Sequence, residues 1–203
     1  MIASNFSLIA AVDIGSPMAG KLGWATLPEG KLGKDMDELA YEISSALLKG
    51  SVALGFETPL WVPKRQDPMK LTKARSGEGS RSWSAGAGAG VLATGLVTIP
   101  YILSRIKELS PNAVASLDFN NPPTQPGDLF LWEAFVSGQA KGVSHEDDAL
   151  IAARAFQKAQ HNLPSQQMIT PESSFNLLGA MLLRTGWSTD LNLLKQEMLV
   201  IKG

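Results

Sequence analysis

The sequence predicts an α/β fold, a single domain with a mixed β-sheet flanked by helices. Short apolar runs alternate with longer segments of helical periodicity, and one such segment lies between two apolar runs. That pattern is typical of a crossover between parallel strands. The chain has 203 residues and is 44% hydrophobic, which suffices for one sizeable core but is short for two full domains.

The first four elements follow directly from these patterns. Residues 6–14 are continuously apolar, as in a strand buried on both faces. After a turn rich in glycine and proline, residues 22–27 complete a predicted hairpin. From Asp35 to Gly50 apolar residues recur at spacings of three and four, which predicts a helix. Residues 51–56 form the next strand, which we expect to run parallel to the first.

The second half is less regular. Residues 61–90 are predicted to form a long loop, a basic and glycine-rich insertion into the domain. Residues 91–109 have helical periodicity, which Pro100 should kink or divide. The other predicted segments are strands at 112–119 and 128–136, a helix from His145 to about Gln160, a weaker helix at 175–183 and an apolar run at 198–201. Residues 161–203 are interpreted as a C-terminal extension.

Composition excludes several kinds of site. The chain has no cysteine and only two histidines, so disulfides, thiolate chemistry and zinc or copper centres are not expected. The net charge of −1 means that nucleic-acid binding would need a local basic patch. The N-terminal apolar run reaches Asp13 too soon for a signal sequence or a membrane span, so we expect a cytoplasmic protein without membrane association. The oligomeric state stays open, a homodimer included.

Three acidic residues stand where an apolar segment ends or a helix begins: Asp13, Glu57 and Asp148. A carboxylate at the end of a buried strand is costly unless it is paired or binds a cation. Parallel strands bring Asp13 and Glu57 to one sheet edge, and Asp148 starts the alanine-rich face of its helix. Because carboxylate oxygens suit hard cations, the pattern predicts a site for Mg²⁺ or Mn²⁺.

Capping is the alternative for some of these acids. Asp147 remains in the candidate metal set, but Asp147 and Glu146 also fit the first turn of a helix, where capping and the helix dipole stabilise carboxylates. For Asp148 the ligand and capping interpretations are balanced. Asp13 precedes good turn residues, whereas Glu57 has no obvious turn role.

The motifs around these acids resemble a known superfamily. The runs are Val12-Asp13-Ile14-Gly15, Gly55-Phe56-Glu57-Thr58-Pro59-Leu60 and Asp147-Asp148-Ala149-Leu150-Ile151-Ala152-Ala153. Over about residues 6–156 the chain resembles the RNase H-like superfamily, and is most similar to its RuvC-type Holliday-junction-resolvase branch and to related uncharacterised predicted nucleases.

This resemblance implies an RNase H-like sheet and catalytic roles for Asp13, Glu57 and Asp148, which would bind two divalent ions and hydrolyse phosphodiester bonds. The chain departs from the resolvase pattern at His145, where a fourth acidic residue is often found. The glycine-rich insertion and the residues after 160 also have no counterpart in the minimal core of the resolvase fold.

The insertion is the main basic segment. Between Lys64 and Trp83 there are six basic residues against two acidic ones, and the flanking tryptophans, Trp61 and Trp83, offer stacking surfaces for single-stranded or distorted DNA or RNA. The predicted nucleic-acid contacts are Lys64, Arg65, Lys73, Arg75, Arg81 and Trp83. A solvated loop without specific role and a grip on the phosphate of a small metabolite remain alternatives. The glycine-alanine run at 85–90 is interpreted as a flexible hinge or a close backbone contact rather than a phosphate cradle.

Three functions therefore compete at this level. A divalent-metal-dependent nuclease accounts for both the carboxylates and the adjacent basic residues. A nucleotide-binding or phosphoryl-transfer protein of the actin-like ATPase group would share an Asp-x-Gly first turn, here Asp13-Ile14-Gly15, but usually needs a second related domain. A non-catalytic nucleic-acid-binding module would bind without metal-dependent turnover.

Overall fold

The structure is a computed structural model that describes residues 6–79 and 82–203. The helices are α1 (Met36–Leu47), α2 (Gly86–Leu109), α3 (His145–Ala159) and α4 (Leu177–Arg184). The strands are β1 (Leu8–Asp13), β2 (Gly23–Leu27), β3 (Leu32–Gly33), β4 (Val52–Glu57), β5 (Trp61–Pro63), β6 (Val114–Ser116), β7 (Asp128–Phe135), β8 (Ser174–Asn176) and β9 (Val200–Lys202).

The main sheet is mixed, which confirms the predicted α/β class. Within the described residues it has seven strands in the order β3-β2-β1-β4-β7-β6, with β9 paired to β7. The β1–β2 hairpin is antiparallel, as is the β2–β3 pair. Strands β1, β4 and β7 run parallel, so the predicted crossover through α1 is also confirmed. Their carboxyl ends therefore lie at one edge of the sheet.

Alternating side chains of the strands supply two apolar layers. In β1, Ala10 and Val12 belong to the layer that also contains α1, α2 and α4. Ile9 and Ala11 belong to the opposite layer with α3. Helix α3 contributes mostly alanines together with Phe156, and these small side chains let it pack close to β1 and β2.

Helix α2 differs from the prediction at two points. It begins at Gly86 rather than Val91, and it continues past Pro100 without division. One glycine of this start packs closely, since a Cβ at Gly88 would lie 2.1 Å from the Ser82 carbonyl oxygen.

The same helix is the one described helix that is long and apolar enough to cross a membrane by composition alone. It has 24 residues, and 28% of its most apolar 18-residue window is buried in the fold. A single such helix is weak evidence, because core helices pass the same test. Here α2 packs against α1 and α4 and places Ile99, Ile102, Leu103 and Ile106 in the core.

The C-terminal extension is integrated into the fold. Strand β9 pairs with the second half of β7, from Glu133 to Phe135. Strand β8 pairs with β5, so Asn176 lies opposite Trp61 at the start of the insertion. Neither β3 nor the β5–β8 pair was predicted, because strands of two or three residues leave almost no periodic signal. The predicted helix at 175–183 is present as α4.

Candidate metal centre

Three predicted carboxylates converge at the edge of the sheet. Asp13 and Glu57 are the terminal residue pair of the parallel β1–β4 ladder. One oxygen from each of Asp13, Glu57 and Asp148 lies within 4.8 Å of the others. Ligands of one hard cation lie about 2.0 to 2.6 Å from it, so oxygens on opposite sides are about 4 to 5 Å apart. The group therefore has the dimensions of a metal site.

A close helix–strand contact brings Asp148 to this edge. Gly23 in β2 lies opposite Asp13 in the sheet. A Cβ at Gly23 would lie 2.4 Å from the Glu146 backbone nitrogen. Because glycine leaves this space free, the first turn of α3 reaches the strand ends.

Burial controls the electrostatics of the site. Asp13 and Asp148 are 4% and 5% exposed. Burial, and then the Asp13 charge, raise the pKa of Glu57 to about 8, and burial also raises the pKa of Asp13. Oε2 of Glu57 is buried and has no hydrogen-bond partner among the described residues. Such a cluster favours bound protons or a bound cation.

Two side chains that could carry positive charge already contact the carboxylates. Nζ of Lys141 lies 2.8 Å from an Asp148 oxygen and 3.5 Å from a Glu57 oxygen. Nδ1 of His145 forms a short contact with Asp13. The Gly142 backbone N–H donates to the other Asp148 oxygen at 2.6 Å. The loop between β7 and α3, together with the first residue of α3, therefore partly compensates the acidic charge.

Asp147 does not join the converging group, which corrects its place among the predicted metal ligands. Its backbone N–H donates to the Ser144 hydroxyl at 3.1 Å, as at a helix N-cap. The physical reason is helical periodicity, since successive residues point about 100° apart and only Asp148 belongs to the buried face.

The prediction that Arg75 contacts nucleic acid is also wrong. Arg75 is 2% exposed, and its guanidinium donates two hydrogen bonds to Glu133, at 3.0 and 2.5 Å, and one to Glu78 at 2.8 Å, while its backbone N–H donates a further one to Glu78 at 2.7 Å. Its guanidinium also stacks over the Trp61 ring. Arg75 and Trp61 are therefore buried parts of the fold and are not available to a nucleic acid at the surface.

The other predicted nucleic-acid contacts have mixed positions. Arg65 binds Glu172 and the carbonyl oxygens of three insertion residues, so it organises the segment. Trp83 is half-buried, and its indole N–H donates to the Lys73 carbonyl oxygen at 3.2 Å. Lys64 and Lys73 are exposed. Arg81 lies outside the described residues.

The chain matches no protein-family model, no curated protein and no solved structure.

Sequence reasoning missed Lys141, Glu133 and Glu78. Glu133 had a usable signal, because an acid inside the apolar run of β7 requires a buried partner. The partner itself, Arg75, is 58 residues away, and no local pattern identifies it. Lys141 lies in an irregular loop and had no signal of its own.

Proposed function

We propose that the protein is a divalent-metal-dependent nuclease of RNase H-like type. One observation carries the proposal: three carboxylates from two parallel strand ends and a helix start converge within 4.8 Å. All three offer oxygen and none offers nitrogen or sulfur, which favours Mg²⁺ or Mn²⁺ over softer metals. The three consecutive antiparallel strands β1, β2 and β3, followed in the sheet by the parallel strands β4 and β7, accord with an RNase H-like sheet.

The carboxylates would hold the cations. Divalent ions about 4 Å apart supply an activated water and stabilise the leaving oxygen in phosphodiester hydrolysis. Asp13, Glu57 and Asp148 fix the ligand oxygens on rigid elements, while His145 orients the Asp13 carboxylate through their contact. Lys21 lines the adjacent cavity and has no ion pair among the described residues, so its ammonium can bind a substrate phosphate.

The test compares two adjacent aspartates of α3, of which only Asp148 belongs to the carboxylate group. Asp148→Asn should abolish Mg²⁺- and Mn²⁺-dependent cleavage of branched, hybrid and single-stranded substrates. Asp147→Asn makes the same chemical change one residue away, outside the carboxylate group, and should retain cleavage. Circular dichroism and thermal unfolding would show that both variants are folded. Full cleavage by Asp148→Asn, or none by the wild type on any substrate, would contradict the proposal.

A non-catalytic nucleic-acid-binding module is the second candidate. The observation in its favour is Lys141, whose ammonium contacts two of the three carboxylates and supplies a cation from the chain itself. This function predicts nucleic-acid binding that is unchanged by Mn²⁺, with no turnover. A Mn²⁺-dependent rise in melting temperature that Asp148→Asn removes would count against it.

A further inference from the structure

A mainly apolar cavity of about 240 Å³ opens beside the carboxylates. Asp13, Glu57, Lys141 and His145 contribute to its lining, so it is continuous with the candidate metal centre. Its apolar lining residues include Ile14, Pro59, Val91, Ala134, Phe135 and Val136. We call this space the apolar cavity.

The apolar cavity lies between the strand ends and the start of α2. Ile14, Pro59 and Phe135 follow or end β1, β4 and β7, and Val91 belongs to the second turn of α2. At about 30 Å³ per water molecule, the cavity has room for about eight waters. That is the scale of one heterocyclic base and not of a base pair.

Cleavage of a phosphodiester in an intact duplex does not need such a cavity. The duplex presents charged phosphates and sugars to a protein, while its bases are stacked and paired inside. Phosphates bind cations and N–H donors, which an apolar wall does not supply. An unpaired base, in contrast, has a flat apolar face and a polar edge.

Polar residues also line the cavity, and they differ in what they offer a ligand. Thr58 is 3% exposed, and its buried hydroxyl oxygen lies against Gly95 of α2, where a Cβ would be 3.1 Å from it, so this hydroxyl belongs to the packing of α2 and not to a ligand site. Lys21 also lines the cavity and can hold the phosphate of the same nucleotide.

We infer that the apolar cavity accepts the base of one unpaired nucleotide, adjacent to the phosphate presented to the carboxylates. The inference rests on the proposed function and narrows its substrate class to single-stranded or distorted nucleic acid. Trp61 was predicted from the sequence as a stacking surface for a base, but it is buried beneath Arg75. The apolar cavity takes over that role in this inference.

The first measurement uses the unaltered protein. Binding of a short single strand is measured by fluorescence anisotropy in Ca²⁺, with and without an abasic site at each position in turn. Loss of a bound base should weaken binding at least about fivefold at one position. Equal affinity at every abasic position would overturn the inference.

The second measurement fills the cavity. Val91→Phe adds a ring at the cavity wall, whereas Val97→Phe makes the same change on the same helix at a side chain that is 70% exposed. Val91→Phe should weaken single-strand binding by about the same factor as the abasic site, and should have little effect on the abasic strand. Val97→Phe should behave as the wild type. Equal single-strand binding by both variants would overturn the inference.

The outcomes separate this inference from the proposed function. If the protein cleaves nucleic acid in a metal-dependent way but binds every abasic strand as tightly as the intact strand, the proposed nuclease function stands and the inferred base-binding cavity is wrong. An abasic effect without any cleavage would support the base site and contradict the nuclease. A nucleoside monophosphate that binds more tightly than the single strand would overturn the assignment to nucleic acid in favour of a small nucleotide.

Discussion

Glu57 is the residue whose ionisation depends most on the fold. Its carboxyl group has left water at the end of β4 and faces two other carboxylates, and its pKa is raised from 4.5 to about 8. Folded protein therefore holds a proton on Glu57 at pH values where the unfolded chain has lost it. The stability associated with that proton is fully present below pH 4.5 and is lost as the pH rises through about 8.

We therefore expect Glu57→Gln to flatten the pH dependence of stability. Metal-free wild type should lose stability relative to Glu57→Gln between pH 5 and pH 9, because only the wild type must ionise a buried carboxyl. Urea unfolding at several pH values measures the difference. Glu29→Gln, at an exposed position, is the control and should follow the wild type. Parallel curves for the wild type and Glu57→Gln would contradict the expected change.

Ionisation of Glu57 also links metal binding to pH. A bound cation replaces the proton, so the apparent affinity for Mn²⁺ should increase as the pH rises toward 8.

Lys141 supplies the positive charge that the cluster has in the absence of metal. Its side chain is 35% exposed and contacts Glu57 and Asp148. Lys141→Met should lower the stability of the metal-free protein by about 1 kcal/mol, a value reduced by solvent screening. Added Mn²⁺ should then raise its melting temperature more than that of the wild type, because no lysine competes for the carboxylates.

Thermal unfolding with and without Mn²⁺ measures both effects of Lys141→Met. Lys49→Met, an exposed lysine outside the site, should change neither. An unchanged response to Mn²⁺ in Lys141→Met would show that the lysine and the ion do not share the carboxylates.

At the scale of single elements, β4 and α2 show how packing decides whether a glycine can be replaced by a larger residue. Gly55 in β4 lies beneath Trp132, and a Cβ there would be 2.3 Å from the indole ring. Trp132 is fully buried and stacks on Phe156 at 4.7 Å between ring centroids. Apart from its chain neighbours and the backbone of α2 itself, no atom of the described residues lies within 4 Å of a Cβ built at Gly90 in α2.

The two glycines should respond in opposite directions to alanine. Gly55→Ala should destabilise the protein by about 1 to 3 kcal/mol, because Trp132 and the α3 layer must shift. Gly90→Ala should stabilise it by up to about 1 kcal/mol, since alanine favours the helix and has free space. Chemical denaturation measures both, and tryptophan fluorescence reports the displacement of Trp132. Equal effects at the two positions would contradict this packing.

At the scale of the whole molecule, one buried ionic network joins the insertion to the sheet. Glu133 in the middle of the sheet accepts hydrogen bonds from Arg75 and from the Leu60 backbone N–H, while Glu78 binds Arg75 from the insertion itself. Burial raises the pKa of Glu133, and the Arg75 charge opposes that rise. The insertion is therefore fixed to the sheet beside the carboxylates.

Loss of Arg75 should therefore destabilise the entire fold. Arg75→Met leaves Glu133 and Glu78 buried without their cation, which should cost about 3 to 5 kcal/mol in urea unfolding. Adding Glu133→Gln should recover part of the loss, since the amide carries no charge. Lys73→Met, an exposed lysine in the same segment, should stay within about 0.5 kcal/mol of the wild type. A similarly small effect of Arg75→Met would contradict the role of the network.

The sequence by itself determined the α/β class, the parallel β1–β4 pair and the three strand-end and helix-start carboxylates. These follow from local periodicity, because a buried strand and an amphipathic helix each repeat over a few residues. Helical spacing also placed Asp148 at the start of the alanine-rich face of its helix, and one Asp148 oxygen lies in the converging group.

Only the tertiary structure decided which charged side chains are exposed to solvent and which are buried in ion pairs within the fold. Arg75 and Lys73 are neighbours in a basic segment, yet one is buried against Glu133 and the other is exposed. Burial depends on which distant segment covers a residue, and partners separated by tens of residues leave no periodic trace. For the same reason the lysine on the carboxylates and the apolar cavity beside them become visible only when β7, α2 and α3 are brought together.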